Sequence, residues 1–217
     1  TNGGDIYLAA DRGNTDNNPS IGPTNNITIN SGSGDIAFIV RDPGDFSYNS
    51  KTMAITTTGT LTFAPPSGEN WDVNFTWSGS GTTNLNGTNS LSGLIINNQA
   101  SIGGLSIGTY LGTGVAGDTA YISSNQRAIF IDSPIAVNGN LNLFGKDISL
   151  DGALTTAGFI NVVSSGYIGV LASLTSTGSN QNITLKAAMQ IDQWSLSTTQ
   201  TNGGSVVYWA NSDGNTG

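Results

Sequence analysis

The sequence predicts an all-β chain wound as a parallel β-helix (β-solenoid) with an irregular insertion, and three observations carry that prediction. First, Thr1-Asn2-Gly3-Gly4 returns as Thr201-Asn202-Gly203-Gly204, each time ahead of an apolar run (Ile6-Tyr7-Leu8-Ala9-Ala10 and Val206-Val207-Tyr208-Trp209-Ala210) and then a polar loop containing Gly-Asn-Thr. Repetition of this kind is settled before any fold is assigned, because it changes the whole architecture. Second, apolar residues alternate over short runs closed by turn residues, the pattern of strands with one buried face. Third, only 9% of residues are charged, against about 25% in ordinary domains. Gly, Asn, Thr and Ser fill that space. Disorder does not fit, because 36% of the chain is hydrophobic and clusters in β-branched runs that disordered chains lack.

The elements follow in order. After the first Thr-Asn-Gly-Gly come Ile27-Thr28-Ile29 and the turn Asp42-Pro43-Gly44-Asp45, where Pro sets the first dihedral and Gly permits the second. Thr56-Thr57-Thr58-Gly59 closes one unit before Leu61-Thr62-Phe63. The stretch 65–87, with Pro65-Pro66, Trp71 and Trp77, breaks the cadence and reads as an insertion or an irregular coil protruding from the rod. The rhythm resumes at Ile129-Phe130-Ile131 and runs through Leu141-Asn142-Leu143, Ile148-Ser149-Leu150 and Ile183-Thr184-Leu185. Gly139 to Gly158 and Phe159 to Gly178 form successive units of about twenty residues that end in similar Thr/Ser-Gly closures, within the range of β-helix repeats. A leucine-rich repeat would need a fixed Leu/Asn framework, and an antiparallel sandwich would need more hairpin signals. One coil cannot bury its own apolar face, so its neighbours become its core. At strand spacing of about 4.8 Å, roughly nine coils make a rod about 40–45 Å long. Residues 1–217 read as a single solenoid segment, a piece of a longer repetitive protein.

Composition narrows function by exclusion. No Cys removes disulfides, thiol catalysis and Cys-based metal sites, and no His removes the commonest general base and metal ligand. A net charge of −8 disfavours nucleic acid, which needs clustered Lys and Arg, and anionic membrane surfaces. No apolar run approaches the ~20 residues of a spanning helix, so membrane insertion is not expected. With no signal peptide or initiating Met in view, any export signal is expected to lie outside this segment.

The run Gly104-Leu105-Ser106-Ile107-Gly108, then Ala128-Ile129-Phe130-Ile131, Pro134-Ile135 and Gly139-Asn140-Leu141-Asn142-Leu143, resembles the haemagglutinin-like repeats of large bacterial secreted adhesins. These are the filamentous-haemagglutinin type, exported by two-partner secretion or as autotransporter passengers. The stretch Thr201 to Gly214 is similar to a recurrent coil of the same proteins. The resemblance covers most of 100–217 and is looser over 1–100. Its degenerate motifs specify fold better than function. It implies a right-handed β-helix outside the cell, at the bacterial surface, serving as a stalk or adhesive surface. The Trp-bearing insertion departs from the plain coil.

Candidate sites are few. Asn211, Asp213 and Asn215, with Gly217, fall at alternate positions like the start of an oxygen-rich Ca²⁺ loop. No bidentate Glu follows, so a solvated turn is the favoured reading, as it is for Asp11, Asn14, Asp16 and Asn17. No other cofactor is expected. Asp147 and Asp151, four apart, and Asp42 and Asp45 raise a glycosidase reading, which requires two carboxylates at fixed separation. The lack of an adjacent Asp pair, of His and of neutralising bases weighs against it. Trp71 and Trp77 on the expected insertion are candidate platforms for stacking on sugar rings. Trp194 and Trp209 are expected instead to seal coil ends or cover the groove between strands. Thr columns suggest ice binding only if regular, and here they are not.

The expectation is therefore a non-enzymatic, extracellular structural or adhesive module, a stiff rod presenting loops to a glycan or surface protein of a host or neighbouring cell. The alternative is a carbohydrate-binding or polysaccharide-degrading β-helix protein. Unpaired strand edges at the ends of the rod also suggest end-to-end self-association.

Overall fold

The computed structural model describes residues 3–9, 25–40, 53–66, 71, 75–77, 83–84, 94–96, 99–108 and 127–212. Short β-branched runs closed by Gly turns cannot extend into long strands, so the chain winds as a β-solenoid. The first coils contain β1 (Ile6–Ala9) and β2 (Ile27–Gly32), then β3 (Ile36–Ile39) and β4 (Met53–Thr57). The third contains β5 (Thr60–Ala64), β6 (Phe75–Trp77), the two-residue β7 (Thr83–Asn84) and β8 (Leu94–Ile96). Regular three-strand coils follow: β9 (Gly104–Ile107), β10 (Ile129–Ile131) and β11 (Ile135–Val137), then β12 (Asn140–Gly145), β13 (Ile148–Leu150) and β14 (Leu154–Thr156). The last are β15 (Ile160–Ser164), β16 (Ile168–Val170) and β17 (Leu174–Ser179), and β18 (Ile183–Ala187), β19 (Ile191–Gln193) and β20 (Thr199–Asn202), with β21 (Val206–Trp209) opening a further coil.

Stacking gives three faces. The first is an eight-stranded sheet in the order β1-β3-β5-β9-β12-β15-β18-β21, and the second has five strands, β6-β10-β13-β16-β19. The third, which leads back into the first, is split into β2-β4-β8-β7 and β11-β14-β17-β20. The break falls where a 3₁₀ turn, Gln99–Ser101, packs against β11. Among the described residues every ladder is parallel except the β7–β8 pair.

Register is what turns alternation into a core. On the first face Leu105, Leu141, Ile160 and Ile183 stack in one column, and Ile107, Leu143, Val162 and Leu185 in the next. All eight are essentially inaccessible to water. A one-residue slip would turn both columns outward, so burial fixes the register. Leu141 lies over Ile160, nineteen residues on, in agreement with the twenty-residue cadence of the sequence.

Coil corners are closed by two devices. A small hydroxyl two or three residues before a corner glycine points inward: Ser31, Thr57, Thr156 and Ser176 are each 0–1% exposed. Ser31 Oγ and Thr57 Oγ1 donate to Gly34 O at 2.6 and 2.7 Å, and Ser176 Oγ donates to Gly158 O at 2.7 Å. The second device is an Asx side chain that accepts the backbone N–H of the next coil. Asp35 N–H donates to Asp5 Oδ1 at 2.9 Å, Thr60 N–H to Asp35 Oδ1 at 2.7 Å, and Ser205 N–H to Asn182 Oδ1 at 2.8 Å. Both devices satisfy backbone groups that the bend removes from the ladder. The glycines of the repeated motif lie at such corners: Gly3 (φ +88°) and Gly203 (φ +82°) are both left-handed, a conformation that favours glycine. They lead into β1 and β21.

The stretch 65–87 differs from the expected protrusion at its described residues. Phe75 and Trp77 pair in register with Ile129 and Ile131, and Trp71 stacks on Phe75 with ring centroids 5.2 Å apart. This part of the stretch is a rung of the solenoid. Its irregularity survives in the antiparallel β7 and in the long path between Leu61 and its next-coil partner Leu105.

Candidate functional site

The outward positions of the stack form rows that the strands hold rigidly. On the first face Asn142, Asn161 and Thr184 lie one above another, with Asn161 Nδ2 donating to Asn142 Oδ1 at 3.5 Å. On the third face Thr155, Thr175 and Gln200 do the same. These rows are uncharged amides and hydroxyls. Lys186, though outward, is 7% exposed and lies over the Trp209 ring at 4.7 Å from its centroid.

The two tryptophans expected as sugar platforms are not available as such. Trp77 is 0% and Trp71 5% exposed, so neither ring offers a face to a ligand. Trp77 shares the inward face of β6 with Phe75, opposite Thr76, and Trp71 stacks on Phe75, so both lie in the core, where each indole N–H lacks a hydrogen-bond partner. Among the described residues the most exposed aromatic is Trp194, at 63%. It was expected to seal a coil end or cover the groove between strands, but it follows β19 at the corner between the second and third faces, where the chain bends outward. Leu196 in the same bend is 92% exposed, and Leu171 lies at the same corner one coil back. Ser197 Oγ donates to Trp194 O at 2.8 Å and Trp194 N–H to Val170 O at 3.0 Å, so the bend is held by its own bonds and by the coil beneath. Trp194-Ser195-Leu196-Ser197 alternates as a half-buried strand would, so the local pattern gave no signal of this exposure.

Carboxylates occupy several corners. Asp147 and Asp151, read together from their spacing, flank the three-residue β13 at opposite corners, about 13 Å apart along the chain. Asp147 Oδ1 accepts Tyr167 N–H at 3.0 Å. Asp151 instead lies next to Asp132, because Ile131 and Leu150 pair in register just before them. Burial first, and the Asp151 charge second, hold the Asp132 carboxyl above the usual carboxylate range. Asp42 and Asp45 lie outside the described residues, as do Asp11, Asn14, Asp16 and Asn17.

Of the candidate Ca²⁺ ligands, Asp213 and Asn215 lie outside the described residues, as does Gly217. Asn211 is exposed and left-handed (φ +50°), and its N–H donates to Met189 O at 3.0 Å, a turn bonded to the coil below. Among the described residues no three acidic side chains gather as metal ligands.

No protein-family model, curated protein or solved structure matches the chain.

Proposed function

We propose that the chain is a non-catalytic, rod-like module of a large bacterial secreted or surface adhesin or filament, working outside the cell. The observation that carries this reading is the in-register stack of uncharged outward rows, Asn142-Asn161-Thr184 and Thr155-Thr175-Gln200. Such rows present the same weak hydrogen-bonding groups repeatedly along a stiff axis, which is how multivalent contact gains strength without a deep pocket. The haemagglutinin-like repeat pattern of 100–217 supports the same placement. Beads coated with the protein should adhere to host or neighbouring cells, and the protein should release no reducing ends from polysaccharide. Polysaccharide cleavage abolished by Asp132→Asn with Asp151→Asn would replace this reading with an enzyme.

A second reading, glycan binding, is favoured by the Trp194 indole, which keeps a face open at a corner bordered by Leu171 and Leu196. Base stability should be unchanged in Trp194→Ala, since the ring buries little. Glycan-array binding should fall at least tenfold, and unchanged binding excludes a platform at this corner.

A further inference from the structure

We propose that the second face binds an oligosaccharide of amino sugars whose nitrogens are free, with ammonium groups at the Asp132–Asp151 corner and rings over Tyr167 and Gly169. This rests on the glycan reading of the Trp194 corner and adds the class of sugar and where its chain lies.

The second face is set apart by its exposed apolar side chains. Strands β1, β2 and β21 aside, the exposed large apolar residues among those described are Tyr167, Leu171, Met189, Trp194 and Leu196. All five border this face, in the coils of β16 and β19. β16 lies between β13 and β19, so the exposure of Tyr167 (44%) and Leu171 (39%) belongs to the side of the rod and not to an end. Between them Ile168 and Val170 are buried, and the outward residue is Gly169. Even a Cβ on Gly169 would meet nothing closer than Leu171 Cδ1 at 3.4 Å. The result is an open shelf with an aromatic ring at one side, on which the apolar face of a sugar can stack.

Charge selects the sugar. Asp132 and Asp151 follow the paired Ile131 and Leu150, so they stand on neighbouring coils at one corner, with Leu171 and Trp194 continuing the line. Asp192 is the outward residue of β19, paired with Gly169. All three carboxylates are exposed. Among the described bases, Arg127 and Lys146 stack at the opposite corner, with Lys146 N–H bonded to Arg127 O, and Lys186 lies on the first face. Like charges on adjacent strands repel, and burial first and the Asp151 charge second raise the Asp132 carboxyl. An ammonium group between the two relieves that repulsion and makes charge-assisted hydrogen bonds. Uronates and other anionic sugars are repelled here.

Size favours a sugar over a protein. From Asp147 to Asp151 the face is about 13 Å wide, and the coils of β10 to β19 make it about 14 Å long. An area on the order of 200 Å² is about a quarter of what each partner of a stable protein complex buries. A sheet face also offers no free backbone group to a peptide main chain, because the ladders already use them.

The test is calorimetric titration of the 217-residue chain with a glucosamine hexamer and with its fully N-acetylated form, in low-salt buffer where the amines are protonated. The wild type should bind the amine form about tenfold tighter. Asp151→Asn keeps an oxygen for the Ser149 hydroxyl, 3.4 Å away, and should remove that preference while leaving the acetylated form unchanged. Tyr167→Ala changes no charge, so it separates stacking from general attraction to an acidic protein; it should weaken both forms about fivefold. Circular dichroism checks that each variant keeps the wild-type β signal. Equal affinities for the two forms, lost together in Trp194→Ala, overturn the amino sugar and keep the glycan reading. Binding of neither form overturns both. An amine preference that survives Asp151→Asn, or binding untouched by Tyr167→Ala, overturns the placement on this face. Tighter binding of a lysine hexapeptide than of the glucosamine hexamer replaces the sugar with a basic peptide.

Discussion

Gly158→Ala tests the tight corner stacking of successive coils. A Cβ built on Gly158 would lie 2.5 Å from Gly139 C, 2.5 Å from Asn140 Oδ1 and 2.6 Å from Asn140 N. Ordinary contact needs about 3.4 Å or more, so neighbouring coils must separate by roughly 1 Å where strands stand about 4.8 Å apart. The atoms in the way are mostly backbone and cannot rotate aside. The displacement also strains the Phe159 N–H bond to Asn140 Oδ1, 3.3 Å long, and the bond that the Thr156 hydroxyl donates to Gly139 O. Overpacking of this kind with lost corner bonds costs about 2–4 kcal/mol. The matched control is Gly169→Ala on the outward side of β16, where the nearest atoms are Leu171 Cδ1 at 3.4 Å and Ser149 Oγ at 3.9 Å. There the loss of backbone freedom in the unfolded chain should stabilise by about 0.5 kcal/mol. Urea unfolding followed by far-ultraviolet circular dichroism reads both. If the two variants unfold within about 0.5 kcal/mol of one another, a difference within the spread of ordinary surface substitutions, the corner does not stack as described.

Two further substitutions probe the corners. Thr156→Val keeps the side chain's shape but removes a hydroxyl that donates to Gly139 O and accepts Gly158 N–H; two buried groups left unpaired should cost about 2–3 kcal/mol, and Thr156→Ser should recover most of it in the same urea assay. Asp132 holds its proton more tightly folded than unfolded, so its ionisation weakens the fold. Its contribution improves as pH falls through the raised folded value and levels off below the ordinary carboxylate value. Asp132→Asn should therefore be the more stable protein at neutral pH, with its advantage shrinking in mild acid; an advantage that grows in acid would reverse the sign of the argument.

The regular coils were legible because each strand's alternation matches its partner's. Leu141-Asn142-Leu143 and Ile183-Thr184-Leu185 bury their first and third residues, as their pattern requires. The Thr-Asn-Gly-Gly repeat was legible as a turn entering a strand, since left-handed Gly3 and Gly203 are local features of the backbone. Less legible were residues whose fate depends on the neighbouring coil. Phe75-Thr76-Trp77 carries the same alternation as Ile129-Phe130-Ile131, but the surrounding Pro, Gly and Ser hid its place beneath that strand. Thr156 and Ser176 look like outward strand residues and are buried because a corner carbonyl of the preceding coil receives their hydroxyls. The Thr-x-Gly closures of the sequence were their visible trace. Trp194 is exposed because its turn bends away from the stack, which no local pattern encodes.

Parallel in-register stacking is the central claim, and disulfide trapping tests it most directly in a chain that has no native Cys. Paired cysteines are placed at Asn142 and Asn161, at Ser149 and Gly169, and at Thr155 and Thr175, one in-register outward pair on each face. Their Cα separation of about 4.8 Å falls within the disulfide range, so all three should cross-link rapidly under mild oxidation while Ser149 paired with Thr155, on consecutive strands of different faces, should not. Rapid cross-linking of Ser149 with Thr155 and none across the three stacked pairs would mean that consecutive strands form hairpins, and would contradict the solenoid.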